Sequence, residues 1–255
     1  MSLDTSRTYD ELADHYHLIF ENWQASIDRQ AAVLGSILEQ CGLNQNARIL
    51  DCACGIGTQS LGLAKRGFRM SGCDISPRSI ERARREASQR NLDIQFSVAD
   101  MRDFGSGDDS RFDAVICMDN ALPHLAGTDE LNRAIVQIQK RLCPGGIFMA
   151  SIRDYDKLLE ERPAVQGPSF YSDDGGRRII FQVWDWLDRE RYNFHLYITR
   201  ETQAGWETLH TTGLYRALRR SEVDALLSHV GFRAPRWLFP ESSGFYQPIV
   251  VAKAA

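Results

Sequence analysis

The chain has 255 residues, 43% apolar and 25% charged, with 34 acidic against 30 basic side chains and a net charge of −4. This composition is that of a globular protein with a sizeable core, and the acidic balance argues against a phosphate-gripping, nucleic-acid-binding surface. No stretch approaches the roughly 18 apolar residues of a membrane span, and the start Met1-Ser2-Leu3-Asp4 lacks the apolar run of a signal peptide.

In chain order, apolar residues from Tyr9 to Cys41 recur at helical spacing (Leu12, Tyr16, Ile19, Phe20, then Ile27, Ala31, Leu34, Ile37, Leu38), with Gly42 as the stop. Ile49-Leu50 opens a buried strand. Thr58 to Arg66 is a short helix closed by Gly67, and Phe68 to Cys73 a second strand. Ser76-Pro77 is an N-cap followed by proline at the first helical position, starting a helix to about Arg90. Ile94 to Val98 and Asp113 to Cys117 are further strands. Leu131 to Leu142 is a helix ending at the turn Cys143-Pro144-Gly145-Gly146, and Ile147 to Ile152 is a fifth strand. Beyond Arg153 the pattern changes to three β-branched and aromatic strands, Ile179–Leu187, Tyr192–Arg200 and Trp206–Leu214, which form an antiparallel meander. Ser221-Glu222-Val223-Asp224 resembles a capping box for a helix to His229, and Trp237–Phe239 and Ile249–Ala252 are closing strands.

Strands alternating with helices imply crossovers and a parallel sheet. The expected fold is α/β: a Rossmann-like, doubly wound, mostly parallel sheet with an N-terminal helical cover and an inserted antiparallel β cap. The expected divisions are 1–45 for the cover, 46–152 for the cofactor-binding core, 153–217 for the cap and 218–255 for the closing helix and strands. The six cysteines, Cys41, Cys52, Cys54, Cys73, Cys117 and Cys143, fall mostly in apolar runs and read as reduced thiols of a cytoplasmic protein. Cys52-x-Cys54 has no second pair or His cluster at ligand spacing, so no metal site is expected.

The chemistry concentrates at Arg48-Ile49-Leu50-Asp51-Cys52-Ala53-Cys54-Gly55-Ile56-Gly57-Thr58, an apolar strand, a glycine turn and a helix start. Such a turn lets backbone approach a ligand closely. A dinucleotide turn would have a third glycine where Ser60 stands, and its pyrophosphate would avoid a carboxylate such as Asp51. A cationic cofactor without phosphate suits the turn better, and S-adenosyl-L-methionine is one. Asp51 would then face its amino-acid part, and Ala53, Gly55, Gly57 and Ile75 would supply close backbone. Asp74, at the end of the second strand, would accept from the ribose hydroxyls. Asp100 and Met101 would frame the adenine, and Met118 would form an apolar wall. Tyr16 and Trp23 could cover a sulfonium with their ring faces.

Asp51-x-Ala53-x-Gly55-x-Gly57-Thr58, Asp74 and Val98-Ala99-Asp100-Met101 together resemble the successive motifs of class I S-adenosylmethionine-dependent methyltransferases, over roughly residues 46 to 152. Phe112 to Leu125 and Arg153-Asp154-Tyr155-Asp156 are similar to segments of the glycine and sarcosine N-methyltransferase group. The resemblance places Asn120 and His124 where that group has Asn and His. It implies Arg153 on a substrate carboxylate, Arg29 on the cofactor carboxylate, and Tyr171, Tyr197 and Tyr215 around the acceptor. Asp119 departs from the group, which has glycine there, and Ala121 stands where it has serine.

The reading is therefore a methyltransferase acting on a small molecule, with an amine nitrogen of an amino-acid-like acceptor favoured. His124 is the candidate base, the Tyr197 and Tyr215 hydroxyls stabilise charge at the methyl, and Asn120 lies between cofactor and acceptor. No nucleic-acid or membrane partner is expected, and the product would be S-adenosyl-L-homocysteine. A small-molecule O-methyltransferase, an NAD-dependent oxidoreductase and a non-catalytic cofactor-binding regulator are the alternatives.

Overall fold

A computed structural model describes residues 5–105, 110–173 and 175–255. The chain begins with helices α1 (Thr5–Leu12) and α2 (Trp23–Gln40), joined through a 3-10 turn at Tyr16–Ile19. The continuous helical spacing from Tyr9 is therefore broken; α2 starts afresh where the Asn22 side chain accepts from the Ala25 N–H at 2.9 Å.

The core follows as β1 (Arg48–Asp51), α3 (Thr58–Lys65), β2 (Arg69–Asp74), α4 (Pro77–Gln89), β3 (Gln95–Val98), β4 (Phe112–Cys117), α5 (Thr128–Arg141) and β5 (Leu142–Ser151). Next come α6 (Tyr155–Glu161) and the strands β6 (Val165–Asp173), β7 (Gly176–Trp186), β8 (Arg191–Thr202) and β9 (Gly205–Arg216). The chain closes with α7 (Arg220–Val230), β10 (Arg233–Leu238), α8 (Pro240–Ser243) and β11 (Ile249–Lys253). Ser76 caps α4 as its sequence indicates, accepting from the Ser79 N–H at 3.1 Å. Ser221 does not cap α7. The helix starts at Arg220 with Arg219 as its N-cap, and Asp224, the residue that would complete a box, accepts from Trp237 Nε1 at 2.9 Å.

Seven strands form one sheet in the order β10-β11-β5-β4-β1-β2-β3, with β11 antiparallel to both neighbours. From β1 the chain adds β2 and β3 on one side and then β4 and β5 on the other, so the carboxyl ends of the parallel pair β1 and β4 bound the crevice where such sheets hold ligands. Alternate residues bury both faces: Ile49, Ala114 and Ile116 pack under α2 and α3, while Leu50, Val115 and Cys117 face α5 and α7.

The remaining four strands make the antiparallel sheet β6-β7-β8-β9. Tyr192, Phe194, Leu196 and Ile198 of β8 are buried toward the core, so the intervening residues face outward. Helix α1 ties this sheet to the core: Thr8 Oγ1 donates to the Thr212 carbonyl at 2.8 Å and Ser6 Oγ to the Ile75 carbonyl at 3.1 Å. No helix among the described residues is long and apolar enough to cross a membrane.

Candidate active site

A cavity opens at the carboxyl ends of β1 to β4. Its floor is the turn from Cys52 to Gln59, and its walls include Asp74 and Ile75, Ala99 to Arg102, and Met118, Asp119, Ala121, His124 and Leu125. Thr5, Tyr9, Ala13 and Tyr16 roof it from the N-terminal cover.

Gly55 sits at φ +51, and a side chain there would meet nothing within 4 Å, so its backbone lies open to the cavity. Gly57, at φ +94, serves a different purpose. It is the N-cap of α3, outside the cavity wall, where a Cβ would lie 3.3 Å from Leu61 and 3.5 Å from Ala83. Asp74 accepts from the Gly55 N–H at 2.8 Å and from the Ser76 N–H at 2.9 Å. It thereby fixes the turn, while each oxygen retains acceptor capacity. Asp100 also lines the cavity, but Arg102 donates to both of its oxygens, at 2.6 to 3.0 Å, and to Glu130 as well. Burial would raise the Asp100 pKa; Arg102 outweighs it and holds the group below the ordinary range. The expected adenine contact of Asp100 thus competes with a bidentate ion pair, whereas Met101 and Ala99 present apolar surface.

At the other end, Asp51 is fully buried. Ser60 Oγ donates to its Oδ2 at 2.8 Å, and its Oδ1 has no partner. Burial, with Asp119 and Asp74 nearby and Ser60 opposing, pushes its pKa up to about 7. Asp119, two residues past the end of the neighbouring strand β4, has a left-handed backbone, φ 56, and its charge adds to the rise at Asp51. Gln59 Nε2 donates to Asp119 Oδ2 at 2.8 Å and to Gln30 Oε1 at 2.8 Å, and the Tyr246 hydroxyl donates to Asp119 Oδ1.

Beyond Asp119 lies a ring of aromatic groups. The Tyr9 hydroxyl and His124 Nε2 are hydrogen-bonded at 2.8 Å, and the His124 ring lies 4.4 Å from that of Tyr215. Burial pushes the His124 pKa down to about 3, which keeps the imidazole neutral at physiological pH. Arg153 donates to the Tyr192 hydroxyl at 3.1 Å and to Gln182 Oε1 at 3.2 Å, with its guanidinium 4.8 Å over Trp184 and 5.3 Å over Tyr215. Asn120, at φ 67, is a latch rather than a ligand contact: it donates to the Tyr155 hydroxyl at 2.9 Å and accepts from the Arg153 N–H at 3.0 Å.

Several expected site residues stand elsewhere. Arg29 is exposed on α2, because that helix turns Ile27, Gln30 and Ala31 inward. Trp23 donates to Thr58 Oγ1 at 2.9 Å and is flanked by Arg82 and Arg90, bracing α3 instead of covering the cavity. Tyr197 is on the outer face of β8, stacked on Phe181 and His210, since strand parity turns it away from Tyr192. Tyr171 supports Arg178, which donates to the carbonyls of Leu18, Phe20 and Glu21. Conversely, Tyr9, Thr58, Gln59, Tyr192 and Gln182 were not among the sequence candidates. Tyr9 falls one helical face from Tyr16, and Tyr192 shares strand parity with the buried side of β8; those spacings were the available signals.

The donor set fits the sulfonium cofactor. Asp51 Oδ1 is a buried acceptor without a partner, Gly55 leaves a cradle that a Cβ would fill, and Met101 and Met118 supply apolar walls. Among the described residues no cluster of His, Cys, Asp and Glu could hold a metal ion. Residues 49–146 match the methyltransferase domain family. With the sheet order and the strand-end carboxylates, this supports a class I S-adenosylmethionine-dependent methyltransferase.

Several of its relatives carry N-methyltransferase names. It is 26% identical over 212 residues to glycine/sarcosine N-methyltransferase of Aphanothece halophytica, covering 83% of this chain and 75% of that protein. It is 34% identical over 139 residues to dTDP-3-amino-3,6-dideoxy-alpha-D-glucopyranose N,N-dimethyltransferase of Streptomyces fradiae, covering 54% of this chain but only 52% of the relative. The fold is shared with the S-adenosylmethionine-bound amino pentose methyltransferase CalS10 of Micromonospora echinaspora, with a TM-score of 0.74, 22% identity and 95% of each chain covered.

Proposed function

We propose that the enzyme methylates an amine nitrogen of a small molecule that also carries an anionic group, an amino-acid-like acceptor. The observation that carries this reading is Arg153. It stands at the end of β5 against neutral partners, Tyr192 and Gln182, and among the described residues no carboxylate lies within salt-bridge distance of it. An enclosed cation without a counter-charge is costly, and a guanidinium is suited to bidentate contact with a carboxylate. The names of the glycine and sarcosine relatives point to the same acceptor chemistry.

S-adenosylmethionine supplies a methyl activated on a sulfonium sulfur. The chain's own residues have three tasks. Gly55, Asp74 and Asp51 hold the donor end. Arg153 fixes the acceptor's anionic group, and Tyr9, Tyr16 and His124 line the space between. Fixing both reactants can supply up to roughly 7–11 kcal/mol of the barrier lowering. A neutral amine needs no prior deprotonation by the enzyme. An alcohol or phenol acceptor would need a base, and His124, with its pKa pushed to about 3, is a weak one, which favours nitrogen over oxygen. The free cysteines and the acidic balance suit a cytoplasmic enzyme acting on a metabolite rather than on nucleic acid or membrane.

The test is a panel of amines, amino acids and their esters assayed by S-adenosylhomocysteine release. Amino acids should turn over and their esters should not. Arg153→Met should lower kcat/KM for the acceptor by about 100-fold, the scale of a lost enclosed charge pair, with cofactor Kd within about threefold. Equal turnover of acids and esters would overturn the assignment.

A further inference from the structure

We propose that Asp119 is a specificity-determining residue for the aminoacyl end of the cofactor, its carboxylate accepting the α-ammonium alongside Asp51. The proposal goes beyond the acceptor reading and does not depend on which amine is methylated.

The placement comes first. Asp74 and Asp100 occupy the nucleoside end of the cavity, after β2 and β3, so a ligand laid along the strand ends brings its other terminus to β1 and β4. Asp51 and Asp119 stand there. Asp51 Oδ1 is buried with no partner, which is a vacancy for a donor. Among the described residues the one Arg or Lys on the cavity wall is Arg102, and it is committed to Asp100 and Glu130 at the far end. Asp119 thus lines the cavity and Asp51, buried at the neighbouring strand end, adds its charge, with no Arg or Lys beside them on the wall among the described residues. A cationic group is what both would accept.

Asp119 is also held in place for such a role. Its φ of 56 and the φ of 67 at Asn120 put two consecutive non-glycine residues in the left-handed region. A glycine would take that backbone without strain, so the position keeps a side chain for what the side chain does. Gln59 is aimed by Gln30, which in turn donates to Ser26 Oγ at 3.0 Å, and Tyr246 reaches in from the C-terminal segment. Asp119 Oδ1 and Oδ2 each receive one donor from this brace, leaving acceptor capacity on both oxygens for the ammonium.

The experiment is calorimetric binding of three ligands to wild type and Asp119→Asn: S-adenosylhomocysteine, its deaminated analogue, and 5′-methylthioadenosine. Asparagine is isosteric and tolerates the left-handed backbone. The expected result is about tenfold weaker S-adenosylhomocysteine binding, the scale of one charge-assisted hydrogen bond. The two ligands lacking the ammonium should bind within about twofold of wild type, and their binding also reports a folded pocket in the same sample. Unchanged S-adenosylhomocysteine affinity, or equal weakening of all three, overturns the role of Asp119. A wild-type chain that binds none of the three defeats the cofactor assignment itself, which separates the two failures.

Discussion

The two ends of the cavity are built by different means. The donor end is made by strand ends and backbone: Gly55, Asp74, Asp51 and Ser60 all lie within the sequence from β1 to the start of α4, and two backbone N–H groups set the carboxylate of Asp74. The proposed acceptor end rests on long side chains from separate parts of the chain: Tyr9 from α1 and His124 after β4 on the cavity wall, linked through Tyr215 of the cap to Arg153 after β5 and its partner Tyr192. A site fixed by backbone tolerates few substitutions and keeps its ligand. A site assembled from side chains can change its acceptor while the fold stays as it is.

The sharpest way to break this contrast is to perturb each end and read both ligands. Asp74→Ala removes the acceptor of two N–H groups, each worth roughly 1.5–3 kcal/mol when the acceptor is charged. Cofactor affinity should fall about 100-fold or more, and Tm should drop by several degrees. Tyr9→Phe removes one hydrogen bond to a neutral imidazole. It should cost the acceptor kcat/KM about tenfold at most, the scale of roughly 0.5–1.5 kcal/mol, and leave cofactor Kd within about threefold. If Tyr9→Phe weakened the cofactor as much as Asp74→Ala, the two ends would not be separable.

The same contrast explains what could be read from the chain. Strand, glycine turn and helix cap are local, so β1, the turn to Thr58 and the Ser76 cap are legible from spacing alone. The acceptor end depends on parity and on distant pairing. Tyr192 and Tyr197 are both aromatic residues of one strand, yet only even-numbered residues of β8 face the core, so Tyr192 reaches Arg153 and Tyr197 stacks outside. Strand β6 was not visible because Gly167 and Pro168 interrupt it and its residues are mostly exposed, as suits an edge strand. Helix α6 has two turns at most and one buried residue, Tyr155, too little for a periodic signal.

Asp51 sharpens the comparison through pH. Its pKa rises from the ordinary 3.8 to about 7 on folding, so between about pH 4 and about pH 7 the folded state binds more protons than the unfolded one. Its contribution to stability must then fall as pH rises through that window. An ammonium beside it favours the ionised form, so cofactor affinity should rise with pH up to about 7, by at most about tenfold per unit for one proton. Binding at pH 6 should release protons, measurable by calorimetry in buffers of different ionisation enthalpy. Asp51→Asn should weaken both dependences, with Asp119 and Asp74, whose pKa values burial also raises, carrying what is left, while acceptor KM keeps the pH profile of the acceptor's own amine. An unchanged pH dependence of binding in Asp51→Asn would assign the proton to another carboxylate of the site, Asp119 first.

The smallest effects are the most discriminating for the boundary of the site. Arg29 and Tyr197 carry group types that the donor and acceptor ends could use, but α2 exposes Arg29 and the outer face of β8 carries Tyr197. Arg29→Ala should leave cofactor Kd within about twofold, since an exposed charge at a distance is screened. Tyr197→Phe keeps the ring stacked on Phe181 and His210 and removes only the hydroxyl, so acceptor kcat/KM should also stay within about twofold. A tenfold loss of cofactor affinity in Arg29→Ala would mean that α2 turns this residue inward when ligand binds. The donor end would then be closed by a side chain from a distant helix, as the acceptor end is, and the division between backbone-built and side-chain-built halves would fail at that point.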